Sequence, residues 1–120
     1  MQFHENHMHI FMNGRDYCQA VDDIKNGRES YVVRKNLDEY RKYGITWVRD
    51  GGDHYGTSVY ARSIAPEYGI VYRTPIFGIH KKGHYGGIVG RAFSDMQEYR
   101  SLVKEAVSQN ADFIKIMISG

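Results

Sequence analysis

The sequence predicts an α/β fold built on parallel strands, and three observations carry that expectation. Short apolar or β-branched runs alternate with helical patterns in the order βαβαβαβ, which calls for parallel pairing through right-handed crossovers. The last run, DFIKIMIS, is nearly continuous in apolar residues, as in a parallel strand buried on both faces. Helix signals separate the runs: Gly44 where a C-terminal glycine belongs, and Ser94 with Gln97 as a capping box. The alternation fits either a doubly wound sheet or a piece of an eight-stranded barrel, and both place active sites at the carboxyl ends of the strands.

Taken in order, the first strand is expected over residues 6–12, where no helical start signal precedes MHIFM. Residues 15–43 read as two helical pieces broken near Gly27, with Val33, Leu37 and Tyr40 on one face of the second. Residues 45–50 form the second strand, ending in Asp50-Gly51-Gly52. Thr57 or Ser58 caps a short helix that Pro66 and Gly69 close, and the third strand follows over 70–77. The segment GIHKKGHYGGIVGR, residues 78–91, is the longest irregular stretch, and loops of that length in compact domains tend to be functional. A helix over 94–109 and a fourth strand over 112–119 complete the chain, all within one domain, residues 1–120.

Composition narrows the function. With 42% hydrophobic and 25% charged residues and only 2 prolines, the chain is not of disordered or collagen type. Lysines and arginines number 16 against 14 acids, a formal +2 too small and scattered to suggest a nucleic-acid surface. No apolar run approaches the roughly 20 residues that span a bilayer, and the start lacks signal-peptide features. The single cysteine, Cys18, fits a reducing compartment, so the expected location is cytoplasmic. Cys18 falls in a helix with no His or Asp at a meaningful spacing, which favours a buried or neutral thiol over a nucleophile.

Strand alternation places His7, His9 and Phe11 on one face of the first strand. The α-carbons of the two histidines then lie about 6.6 Å apart, near enough for both rings to turn to one cation, although hydrogen bonding alone also explains such a pair. On the last strand Phe113, Lys115, Met117 and Ser119 share a face, with Ile114, Ile116 and Ile118 opposite, beneath helices. Lys115 thus faces the interior, where burial pushes a lysine toward the neutral, reactive amine; the alternatives are an ion pair or a side chain that snorkels to the rim. In the glycine-rich loop His80 and His84 lie where a barrel's mouth would be; substrate contact and solvent exposure are both open for His84. Arg91 is a candidate for a substrate carboxylate or for a surface salt bridge, and Asp50 for orienting a ligand or capping a turn. His4 and His54 stand in no arrangement that favours function. The loop has no G-x-x-x-x-G-K-[ST] and no G-x-G-x-x-G, which disfavours nucleotide binding.

Together ENHMHIF, TWVRDGG, GHYGGIVGR and ADFIKIMISG resemble the first half of a metal-dependent amidohydrolase, of the branch holding imidazolonepropionase-related enzymes and dipeptidases with a lysine on the fourth strand. The resemblance implies the first four βα units of a (β/α)8 barrel, with one or two divalent ions, usually zinc, at the carboxyl ends of the strands. His7 and His9 match the first-strand metal histidines. Lys115 stands where binuclear members carry a lysine that carbon dioxide converts to a bridging carbamate. The implied reaction is attack of metal-activated water on an amide or cyclic amide carbonyl, with a small amide or dipeptide-like substrate.

The departures are as informative. The family's metal histidines of the fifth and sixth strands and its eighth-strand aspartate have no counterpart, and 120 residues is near half of a typical barrel of about 250. The chain therefore reads as a fragment, from a truncated reading frame or a cut chain, catalytically incomplete alone. A second reading is a non-catalytic half-barrel whose open strand edges and uncovered apolar face drive it to associate with itself or a protein partner.

Overall fold

The computed structural model describes residues 1–118. Its elements are β1 (Phe3–Met8), α1 (Tyr17–Lys25), α2 (Glu29–Lys42), β2 (Ile45–Asp50), α3 (Thr57–Ile64), a 3-10 turn (Ala65–Tyr68), β3 (Val71–Arg73), β4 (Gly78–Lys81), β5 (Gly90–Phe93), α4 (Met96–Ser108) and β6 (Lys115–Met117). Every strand pair is parallel, in two three-stranded sheets ordered β1-β2-β3 and β5-β4-β6. The fold is thus α/β with parallel strands, as the alternation requires, and the described strands close no barrel. No helix among the described residues is long and apolar enough to cross a membrane.

The apolar spacing of α2 is what fastens the helices to the first sheet. Val33 and Leu37 are fully buried, and they meet Ile10, Val48, Ile70 and Tyr72 with Tyr40 at the margin. Burial of side chains this size contributes about 2 kcal/mol each. Gly44 ends the helix in a left-handed conformation, φ 80°, and a side chain there would drive a Cβ to 2.9 Å from the Met1 carbonyl oxygen. The second sheet has its own core, in which Phe77, Ile79 and Ala106 are buried against Leu102 and Val103 of α4.

The first strand lies earlier than the expected 6–12. Met12 N donates to the His9 carbonyl at 3.0 Å, so the chain turns there and sends Ile10 and Phe11 into two different cores. The polar run His4-Glu5-Asn6 hides this strand from pattern reading. Its pairing slips twice: from Phe3–Ile45 to His4–Trp47 β2 uses one residue more, and from Glu5–Val48 to Met8–Asp50 β1 does.

The expected strand over 70–77 is two strands. Pro75 has no N–H to give a ladder, Ile76 takes φ 72°, and Thr74 Oγ1 accepts from Ile76 N at 3.0 Å. The break lets the same stretch pair with β2 through β3, then with β5 and β6 through β4. The irregular segment expected over 78–91 consequently begins and ends in strand. Gly90 is required here, since a Cβ on it would stand 2.9 Å from the carbonyl oxygens of Gly78 and Gly86, and Met117 Cε fills the space beside it, 2.5 Å from where a Cβ on Gly78 or Gly90 would be.

Two caps differ as well. α4 starts one residue later than a Ser94 cap would have it: Asp95 Oδ1 accepts from Glu98 N at 2.8 Å, and Glu98 Oε2 accepts from Ser94 N at 2.7 Å. A carboxylate next to the hydroxyl takes the role. Neither Thr57 nor Ser58 caps α3; the Asp53 carboxylate, 3% exposed, accepts from Tyr55 N, Thr57 N and Ser58 N at 2.7, 3.1 and 2.8 Å. The fourth strand is shorter than 112–119 and its alternation is half right. Phe113, Lys115 and Met117 are half-buried, but Ile114, Ile116 and Ile118 are exposed because no helix packs on them. Ser119 lies outside the described residues. Cys18 is exposed on α1 and not buried.

Asp53→Ala takes the acceptor from three backbone N–H donors at once. Loss of about 2 kcal/mol or more of stability is expected in urea denaturation, with Asp53→Asn intermediate.

Candidate functional site

Three of the residues singled out in the sequence meet: His7 and His9 at the carboxyl end of β1, and Lys115 at the first residue of β6. Lys115 Nζ lies 2.9 Å from His7 Nε2, across 108 positions of chain. The His7 and His9 rings stand edge to face, with centroids 5.5 Å apart. His9 Nδ1 is 2.8 Å from the Gly52 carbonyl oxygen, which only accepts, so Nδ1 carries the proton and Nε2 keeps its lone pair.

Gly51 makes room for this cluster. A Cβ there would lie 2.7 Å from His9 Nε2 and 2.8 Å from Lys115 Nζ, so the two nitrogens flank the space that the missing side chain leaves. Burial lowers the pKa of His9 against the opposing Gly52 hydrogen bond, and burial lowers that of Lys115 against the opposing charge of Asp50. Both shifts favour the uncharged donor forms. A pair of imidazoles and an amine around a backbone-lined space can hold a borderline cation. Among the described residues no group of three or more His, Cys, Asp and Glu is placed to hold a metal.

Asp50 stands behind the cluster, 1% exposed. Its Oδ2 accepts from Ile10 N at 3.2 Å and from the Tyr72 hydroxyl, and its Oδ1 accepts from Gly52 N at 2.7 Å. Burial, only partly offset by these bonds, pushes its pKa up to about 6. Burial first and the Asp50 charge second raise Tyr72 well above its ordinary value. Asp50 therefore holds the Gly51-Gly52 backbone in place at the wall of the cavity beside His7 and Lys115.

The loop residues do not join the cluster. His80 is buried and donates from Nδ1 to the Lys81 carbonyl at 3.0 Å. Arg91 pairs with Glu105 and lies 4.2 Å over the Phe77 ring, so the salt-bridge alternative describes it. His84 turns back on β4, its backbone N donating to the Lys81 carbonyl at 3.0 Å. His54 donates from Nε2 to the Gly87 carbonyl at 2.7 Å and ties that loop to the second one.

Two cavities meet at the His7–Lys115 contact. One, of about 350 Å³, has Asn6, Arg49, Gly51 and Phe113 in its wall; the other, of about 430 Å³, has His9, Met12, Tyr85 and Met117. Sequence reasoning missed Gly51, Gly52 and Tyr72 as parts of the site. The signal was the DGGD run at the end of β2, where paired glycines after an aspartate mark a backbone that something must approach closely. No family model matches the chain, and comparison with curated proteins and with solved structures gives no match.

The raised pKa of Asp50 sets a pH dependence. The folded protein holds this proton up to about pH 6, while the unfolded chain releases it near pH 4. Stability from this group is therefore full below about pH 4, falls by about 3 kcal/mol as pH rises to about 6, and is level above. Urea denaturation across that window should show the decline in the wild type and not in Asp50→Asn.

Proposed function

We propose that the chain is the first half of a metal-dependent amidohydrolase barrel, its four βα units carrying part of the centre that hydrolyses an amide or cyclic amide C–N bond. The observation that carries this reading is the meeting of His7, His9 and Lys115 around the space left by Gly51. The parallel pairing within β1-β2-β3 and within β5-β4-β6 supports it, with His7 and His9 at the carboxyl end of β1, where barrel chemistry sits, and Lys115 reaching them from the first residue of β6.

His7 and His9 would hold a divalent ion, zinc by donor type, with Lys115 beside them as amine or as carbamate. Such an ion supplies a water of lowered pKa and a polarised carbonyl. The residues of this chain do the positioning. Gly52 fixes the tautomer of His9, and Asp50 fixes Gly52 while its negative charge faces the lysine. The wider cavity, walled by Met12, Tyr85 and Met117, takes the non-reacting part of a small amide. The remaining ligands and the group that handles the proton are not among the described residues, so the chain alone is expected to bind metal and not to turn over.

Zinc titration calorimetry tests the reading. His7→Ala, His9→Ala and Gly51→Ala should each weaken zinc binding by roughly 10–100-fold while circular dichroism keeps the helical signal. A wild-type chain that binds no zinc, or a triple His7→Ala/His9→Ala/Lys115→Ala variant that binds as the wild type does, overturns it.

A further inference from the structure

The sheet face away from the helices carries a charge pattern the site does not use. β2 and β3 pair with Trp47 beside Val71 and Arg49 beside Arg73, and residues paired across parallel strands share a face about 4.8 Å apart. The opposite face is fixed by Val48 and Tyr72, both buried under α2 and α3. Two arginines therefore stand side by side on the open face, both exposed. Like charges so placed repel. Neither meets a carboxylate among the described residues: Arg49 lies 5.8 Å over each of the Trp47 and Phe113 rings, and every ion pair present involves other cations.

Between these cations the face is apolar. Trp47 and Phe113 are half-buried and Val71 is 46% exposed. At the rim β6 pairs with β4 alone among the described residues. We infer that this face is a docking surface for an extended acidic polypeptide segment, whose carboxylates bridge Arg49 and Arg73 and whose apolar residues cover Trp47, Val71 and Phe113.

Two copies meeting face to face through this surface do not fit, because each would set a like pair of arginines against the other. Charge complementarity selects an acidic partner, and the alternation of cation and apolar side chain at strand period selects an extended one. The inference is independent of any metal at His7 and His9.

Trp47 is the sole tryptophan, and its fluorescence reads the surface directly. The probe is a short peptide alternating glutamate with valine, titrated at low and moderate salt beside its lysine counterpart. The acidic peptide should shift Trp47 emission saturably and weaken with salt, while the lysine peptide leaves it unchanged. Arg49→Glu and Arg73→Glu should each weaken the acidic peptide by about tenfold or more, with Arg49→Gln intermediate and Arg34→Glu, on α2, without effect. Circular dichroism checks that each variant is folded. Equal response to both peptides, no response to either, tighter response to a single-stranded oligonucleotide, or a dimer in sedimentation that Arg49→Glu breaks would each overturn the inference.

Discussion

One buried carboxylate organises the carboxyl end of the first sheet. Asp50 accepts from the backbone beyond β1, from the glycine turn after β2 and from a hydroxyl on β3, so three successive strands are pinned to one side chain. An ionised group taken this far out of water is costly unless its lone pairs are filled, and three donors fill them here. The bond to Ile10 fixes the turn that carries His9. That to Gly52 fixes the carbonyl that chooses the tautomer of His9. The chemistry at the strand ends is therefore a consequence of how one charge is made tolerable inside the protein.

The parts of the fold that periodicity controls were legible. α1, α2 and β2 follow from apolar spacing and from Gly27 and Gly44, and one helical face of Val33, Leu37 and Tyr40 packs as its pattern requires. His7, His9 and Lys115 were legible as residues to watch, because a closely spaced imidazole pair and a lysine within an apolar run are each unusual for their place, and the fold brings them together.

What was not legible depends on contacts far apart in the chain. Nothing near Thr74 announces that its hydroxyl would take the Ile76 N–H and bond Ser58 Oγ at 2.8 Å, yet that local network interrupts a strand the apolar pattern reads as continuous. Asp53 outcompetes two hydroxyls for the start of α3 because it reaches across a loop, a distance that capping rules written for adjacent residues do not cover. Gly51 is the sharpest case: its value lies in what would collide with it, and those atoms come from both ends of the sequence.

The contact between His7 and Lys115 also has a meaning for the order of assembly. The first sheet forms from neighbouring units, whereas β6 is three residues long, joins β4 alone and is held by Met117 seated against the glycines of β4 and β5. Short, singly paired strands are the first to open in native-state fluctuations. The amine thus reaches its imidazole only after β6 has docked on β4, and it leaves when β6 frays, with the two histidines still in place. The contact is a reporter of how the two sheets are joined.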